Sequence, residues 1–333
     1  MQANNDEKPI KSLISIALPC YNEEVILKSN IGTVVDYLKS IDYKYDWEIV
    51  IINDGSKDKT GQIADELATH NDRIRVIHHP INLNLGNALK TAFKNSKGSI
   101  IVVMDIDLSY SVDHIESMVD KLIQTSSDIV IASPYMPGGR VTDVPFLRKI
   151  MSRWVNRFMR VAAQDKYYTF TGMVRAYRRD FIQTVNLKTK DYEINPEILY
   201  KGMILRARIV EIPAHLDWTE QNKFKGKRTS SIRMIRGFFS GIMSSFIFRP
   251  YIFFLAIGTV LMVLSLYEII WLFVDTLQYM SSRSGMDSSF STSLALQFRK
   301  NPQSFIVGGI TFLASIQFLS LGFLSLQSKR YFE

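Results

Sequence analysis

The chain has 333 residues, with 40 Lys and Arg against 32 Asp and Glu, giving a net charge of +8 at neutral pH. That length holds one large domain or two small ones, and the basic balance asks for an acidic partner: nucleic acid, an anionic membrane surface or an acidic substrate. Cys20 is the single cysteine, which excludes an internal disulfide and fits a reducing compartment, and the polar stretch 1–11 has no apolar run of the kind a secretory signal carries.

Leu13 to Leu18 reads as a short strand ended by Pro19, which has no N–H to give a ladder. Asn22 is placed to cap the following helix, with Glu23 and Glu24 in its first turn. Ile26, Leu27, Ile31, Val34, Val35 and Leu38 recur there at helical spacing. Trp47 to Ile52 is a second strand, stopped by Asn53-Asp54-Gly55-Ser56, and a helix runs on to His70. A third strand covers Ile74 to His78, and a helix about Leu85 to Asn95 precedes the fourth strand, Ile100 to Met104.

That strand runs into Asp105-Ile106-Asp107-Leu108-Ser109. In extended chain, residues two apart point to the same side, so Asp105 and Asp107 converge on one cation, with Ser109 next along. The alternation of strands and helices predicts an α/β fold with a parallel, doubly wound sheet. Ligands of such sheets bind beyond the carboxyl ends of the strands, the rim on which Pro19, Asp54 and Asp105 fall. A hard dication held there by one or two carboxylates takes its other ligands from water and substrate phosphates. The expected site is therefore a metal–diphosphate site; the bland reading is an acidic loop closing a strand. The first strand is not followed by G-x-G-x-x-G, and there is no Walker A sequence, which argues against dinucleotide and P-loop chemistry.

A helix over Asp113 to Gln124 and a strand over Asp128 to Ala132 lead to the loop Ser133 to Arg140. From about 145 to 162, Phe146, Leu147, Ile150, Met151, Trp154, Val155, Phe158 and Met159 share one helical face, with basic residues mostly elsewhere. Such a helix suits a membrane interface, or equally a core helix with one solvated face. Thr169 to Arg179 reads as loop, short strand and helix, and Ala207 to Pro213 as a strand. A basic loop over Lys223 to Arg228 opens a second amphipathic segment, 226–249. Two apolar runs, about 251–274 and 305–326, are long enough to span a bilayer. Lys and Arg lie mostly before the first run and after the second, which puts the α/β domain in the cytoplasm. Basic residues beside the bilayer account for the charge without nucleic acid. The expected organisation is an α/β domain over 1–225, a juxtamembrane helix over 226–249 and a two-span anchor over 250–333.

Four stretches, Pro19-Cys20-Tyr21-Asn22-Glu23-Glu24, Asn53-Asp54-Gly55-Ser56, Asp105-Ile106-Asp107-Leu108-Ser109 and Arg175-Ala176-Tyr177-Arg178-Arg179, occur in this order ahead of the anchor. Together they resemble the membrane-associated family-2 glycosyltransferases, the polyprenyl-phosphate hexosyltransferases typified by dolichyl-phosphate mannose synthase. The resemblance implies a GT-A fold, a nucleotide-diphosphate sugar donor (UDP- or GDP-hexose), a divalent metal (Mg²⁺ or Mn²⁺) and a polyprenyl phosphate acceptor, undecaprenyl or dolichyl. It implies an integral protein of the plasma (bacterial inner) membrane whose catalytic domain is cytoplasmic. It puts Pro19, Tyr21 and Glu23 at the nucleotide's base and ribose, Asp54 close to the base, and Asp105 nearer the ribose or metal. Asp107 becomes the main metal ligand. Ser109, where many relatives carry Gln, becomes a third. Asp107 and Arg175 are the expected catalytic pair, with Arg175 on the acceptor phosphate. Pro134 stands where relatives often carry an arginine, so Arg140 or Arg148 is expected to take over its grip. A lipid phosphate, with a second pKa of about 6, is already an anion and needs cations more than a general base.

Plainer readings stand beside these: a surface salt bridge for Arg175, a solvated helix face for Glu193 and Glu197, structural roles for His78, His79 and His215, and a small buried residue for Cys20. Two rival functions are a polysaccharide or glycolipid synthase using another membrane acceptor, whose Q-x-x-R-W motif is missing here, and a non-catalytic membrane scaffold, against which Asp54, Asp105 and Asp107 argue. The sugar, the choice of UDP or GDP, and a homo-oligomeric state are open at this point.

Overall fold

The computed structural model describes residues 11–162, 167–219, 250–282 and 289–332. The juxtamembrane segment 226–249 and the basic loop before it lie outside these described residues. The chain divides into two units, Met1–Ser245 and Phe246–Glu333.

In chain order the first unit holds β1 (Leu13–Cys20), α1 (Leu27–Ser40), β2 (Asp46–Asn53), α2 (Thr60–His70), β3 (Ile74–His78), α3 (Leu85–Asn95) and β4 (Ile100–Val103). It continues with α4 (His114–Gln124), β5 (Ile129–Ser133), β6 (Arg140–Thr142), α5 (Phe146–Ala162), β7 (Arg175–Arg178), α6 (Arg179–Thr184), α7 (Ile194–Ile204), β8 (Ile209–Pro213) and β9 (His215–Asp217). Seven strands form one sheet in the order β3-β2-β1-β4-β7-β5-β8, and β6 pairs with β9 in a separate ribbon. The pairs β1–β2, β1–β4, β2–β3 and β5–β8 are parallel. β7 runs antiparallel to both neighbours, β4 and β5. Helices cover both faces, so the strands are apolar throughout rather than alternating, as Ile49 to Ile52 illustrate. The chain walks outward from β1 to β3, then returns to β4 on the other side of β1. That reversal opens a crevice at the carboxyl ends of β1 and β4, where open α/β sheets bind ligands.

Three expectations change. Pro19 does not end β1: it pairs in register with Ile52, and the strand continues to Cys20. The ladder to β4 stops at Ala17–Val103. The proline lacks an N–H only where β4 has already ended, so no bond is lost. Asn22 does not cap α1, which starts at Leu27 without a side-chain cap. Asn22 instead takes a left-handed backbone, φ 57°, and binds the neighbouring loop. The helical face of α5 splits: Val155 and Met159 are buried in the core, while Phe146, Leu147, Ile150 and Trp154 are exposed.

The second unit holds α8 (Pro250–Ser282), α9 (Phe290–Lys300) and α10 (Pro302–Phe332). Pro250–Ser281 and Pro302–Gln327 are long and apolar enough to cross a membrane. α8 and α10 lie close because small residues meet along the seam. A Cβ added to Gly258 would come within 2.8 Å of Leu319, and one on Gly322 within 2.7 Å of Leu255. Ser265 Oγ donates to the Gly308 carbonyl over 3.1 Å. Gly308, Ser315 and Gly322 recur every seven residues, as coiled-coil packing in a membrane favours.

Candidate active site

The loops after β1 and β2 are stapled together. The backbone N–H groups of Asn22, Glu23 and Glu24 donate to Ser56 Oγ (3.0 Å), Thr60 Oγ1 (2.7 Å) and Asp58 Oδ2 (3.2 Å). In return Lys57 and Lys59 N–H groups donate to Asn22 Oδ1 (2.8 Å) and Glu24 Oε2 (3.0 Å). Gly55 makes the turn possible: its φ is +65°, and a Cβ there would lie 2.2 Å from the Ile81 backbone. Asp54 is only 4% exposed. Its Oδ1 accepts from His79 Nδ1 (2.6 Å) and the Leu83 N–H (2.9 Å). His79 is therefore a structural partner, as is His78, held by Asn53 and Asp65. Half-buried Pro19, exposed Tyr21 and half-buried Glu23 stand on the same rim. Cys20 is buried, and burial pushes its thiol up, away from nucleophilic use.

β4 stops at Val103, earlier than its apolar run suggests, because the chain turns. The Leu108 N–H donates to the Asp105 carbonyl at 3.2 Å, and Leu108 takes φ 51°. Asp105 and Asp107 thus lie on a tight turn rather than an extended strand, with buried Ile106 as its plug and Asn30 Nδ2 bonded to the Ile106 carbonyl (2.8 Å). Burial, and then the neighbouring Asp107 charge, push the Asp105 carboxyl well above the usual range; Arg148 opposes this and Glu23 adds to it. An Asp105 carboxyl whose burial and repulsion by Asp107 a positive charge would relieve fits an oxygen-preferring dication. Among the described residues no group of three or more His, Cys, Asp or Glu is gathered for a metal. Ser109 donates its N–H to Asp107 Oδ1 (3.1 Å). It lines a cavity of about 270 Å³ with Thr33, His215 and Asp217, and neither acid lines it.

The three expected acceptor arginines separate. Arg148, exposed in the first turn of α5, lies close enough to the acids to act on Asp105. Its guanidinium stacks on Trp218, 4.2 Å from the ring centroid. Arg140 is exposed on β6, where its N–H bonds the Ala214 carbonyl, and it is not among the main charges acting on Asp105. Arg175 is 0% exposed. Its guanidinium donates to the carbonyls of Asn195 (2.9 Å) and Phe170 (2.6 Å). A fully enclosed group meets neither a lipid phosphate nor a surface partner. Both expectations for Arg175 are corrected: it ties loop 167–174 to α7.

That loop is clamped from other sides, by residues with no sequence motif. Glu211 on β8 accepts from the Tyr168 and Thr169 N–H groups (2.8 and 2.9 Å), and buried Asn156 on α5 accepts from the Phe170 N–H (2.7 Å). Glu197 is likewise no solvated helix residue. It is buried and accepts from Lys188 N, Thr189 N, Thr189 Oγ1 and Lys201 Nζ. His215 is structural, bonded to Thr142 Oγ1.

A sheet reversing beside β1, with an acidic turn at the end of β4, defines a GT-A-like α/β fold. Residues 15–185 match the model for glycosyl transferase family 2, and the chain belongs to that family. It is 31% identical over 219 residues to the dolichol-phosphate mannosyltransferase of Pyrococcus furiosus, covering 64% of this chain and 60% of that one. It is 28% identical over 223 residues to the polyprenol monophosphomannose synthase of Mycolicibacterium smegmatis, covering 65% and 81%. The similarity to glycosyltransferase AglD of Haloferax volcanii, 29% over 214 residues, spans 64% of this chain but only 34% of that one. In fold, the chain is similar to the glucosyl-3-phosphoglycerate synthase of Mycobacterium tuberculosis, solved with Mn²⁺, UDP-glucose and phosphoglyceric acid. The TM-score is 0.52 at 18% identity, over 70% of this chain and 79% of that one.

Proposed function

We propose that this chain transfers a hexose from a nucleotide-diphosphate sugar to a polyprenyl phosphate, with inversion, at the cytoplasmic face of the plasma (bacterial inner) membrane. The observation that carries the reading is the Asp105–Asp107 turn at the sheet reversal, with Arg148 beside it. The similarity to enzymes named for dolichol and polyprenol phosphates supports the acceptor class, and the two apolar helices support the membrane. The excess of Lys and Arg before the first span and after the second supports the orientation.

In this reading the stapled loops carrying Pro19, Tyr21, Glu23 and Asp54 form a preformed platform for the nucleoside. Asp107, with Asp105, would hold Mg²⁺ or Mn²⁺, which when bound neutralises the diphosphate and the charge growing on the leaving group. Arg148 attracts the acceptor phosphate to the edge of the acid turn and orients one oxygen toward the anomeric carbon. The new bond forms from that oxygen to the anomeric carbon. The bond to the diphosphate breaks, and its electron pair leaves with the nucleotide. No proton need be removed from an acceptor that is already an anion.

The test offers membranes containing the chain a panel of radiolabelled UDP- and GDP-hexoses with undecaprenyl or dolichyl phosphate. Label entering the organic phase with at least one pair, lost with EDTA and restored by Mn²⁺ or Mg²⁺, is the expected result. Nucleotide-sugar hydrolysis without any lipid product would overturn the acceptor assignment.

A further inference from the structure

Granting the transfer reaction proposed above, we infer that Trp218 is its positioning residue, holding the Arg148 guanidinium beside the Asp105–Asp107 turn. Arg148 is exposed, and an exposed arginine spreads over many rotamers unless something holds it. Here the indole face does so, with the guanidinium carbon 4.2 Å from the ring centroid, well inside cation–π range.

The indole is itself fixed, by the β6–β9 ribbon. β6 leads into the helix that carries Arg148, and β9 ends one residue before Trp218. The two strands pair from Arg140–His215 to Thr142–Asp217. The Trp218 N–H then donates to the Thr142 carbonyl (3.2 Å), and Thr219 Oγ1 to Asp143 Oδ2 (2.8 Å). The same ribbon is bonded to the acid turn: the Asp217 N–H donates to the Ser109 carbonyl (2.8 Å), and Leu216 bridges Tyr110. One small element therefore references both members of the stack to the residue two past Asp107. The proposed nucleotide platform is built on other segments, the β1 and β2 loops.

The separation of platform and ribbon sets the test. In full-length protein in nanodiscs, Trp218→Leu should raise the acceptor KM about 3- to 10-fold and leave the donor KM unchanged. Trp218→Phe, which keeps an aromatic face, should recover most of the loss. An unchanged acceptor KM in Trp218→Leu, or equal rises in both KM values without rescue by Phe, would overturn the assignment. If the wild-type chain transfers nothing to any polyprenyl phosphate, the proposed reaction falls instead. The stack is then decided by thermal midpoints of Arg148→Ala, Trp218→Leu and the double variant. A double variant no less stable than the weaker single one supports the coupling, and additive losses refute it.

Discussion

Asp54 Oδ1 accepts a 2.6 Å hydrogen bond from His79 Nδ1, and His79 Nε2 is in turn bonded to Thr91 Oγ1 at 2.9 Å. A carboxylate only accepts, so the proton of this contact sits on His79 Nδ1, while Nε2 meets the threonine hydroxyl. α3, which bears Thr91, thereby fixes the carboxylate at the end of β2. His79→Ala should free Asp54 and weaken donor binding. A hydrogen bond to a charged group is worth about 1.5–3 kcal/mol, so the donor KM should rise about 10- to 100-fold with the acceptor KM unmoved. Steady-state kinetics against each substrate checks this.

Asp107→Asn removes one of the two carboxyl groups of the acid turn and keeps the volume. Transfer should fall by about 10²–10³-fold, the range seen when one preorganised electrostatic group is lost. The far-ultraviolet circular dichroism and thermal midpoint should stay near wild type. Turnover within a few-fold of wild type would remove Asp107 from the mechanism.

Glu197 sets an acid limit on stability. Burial works against its charge, but hydrogen bonds from Lys201, Thr189 and Lys188 outweigh it and draw the carboxyl from 4.5 down to about 2. A carboxyl depressed on folding stabilises the native state above its unfolded pKa, and the stabilisation fades as pH falls through 4.5 toward 2. The full effect is on the order of 3 kcal/mol. Glu197→Gln should be less stable than wild type at pH 6, and the gap should narrow between pH 4.5 and 2. Parallel curves of thermal midpoint against pH would show that Glu197 contributes nothing of this kind.

On α5, Phe146 is 76% exposed and Trp154 65% exposed. Burying one such phenylalanine side chain in an apolar phase is worth about 1.5–3 kcal/mol. If this face enters the bilayer surface, Phe146→Ser with Trp154→Ser should lower activity on a long-chain acceptor about 10-fold or more. Activity on a short, water-soluble prenyl phosphate should hold. Equal losses on both acceptors would place the face elsewhere.

Much of this architecture is legible in the sequence, because it rests on local signals. α3 and β3 fall on Leu85–Asn95 and Ile74–His78 as expected, since apolar period and turn residues agree there. The acid turn is legible as a pair of carboxylates, though not as a turn. Ile106 looks like a surface position between two acids, and only its burial in the core explains the kink. Arg175 misleads because a charge in a motif reads the same whether it faces solvent or two carbonyls inside the protein. Trp218, Glu211 and Asn156 carry no local pattern; their partners lie far away in sequence, and only the fold brings them together.

The antiparallel β7 has a consequence for how this chain comes off the ribosome. β5 emerges well before β7, yet it bonds to β7 and not to β4. Until Arg175 to Arg178 have been made, the four apolar residues Ile100–Val103 keep one bare hydrogen-bonding edge, the kind of surface that recruits a stray strand from another nascent chain. A fragment cut anywhere between β5 and Arg175 contains the bonded β1 and β2 loops and the acid turn but not this edge's partner, and should clump rather than dissolve.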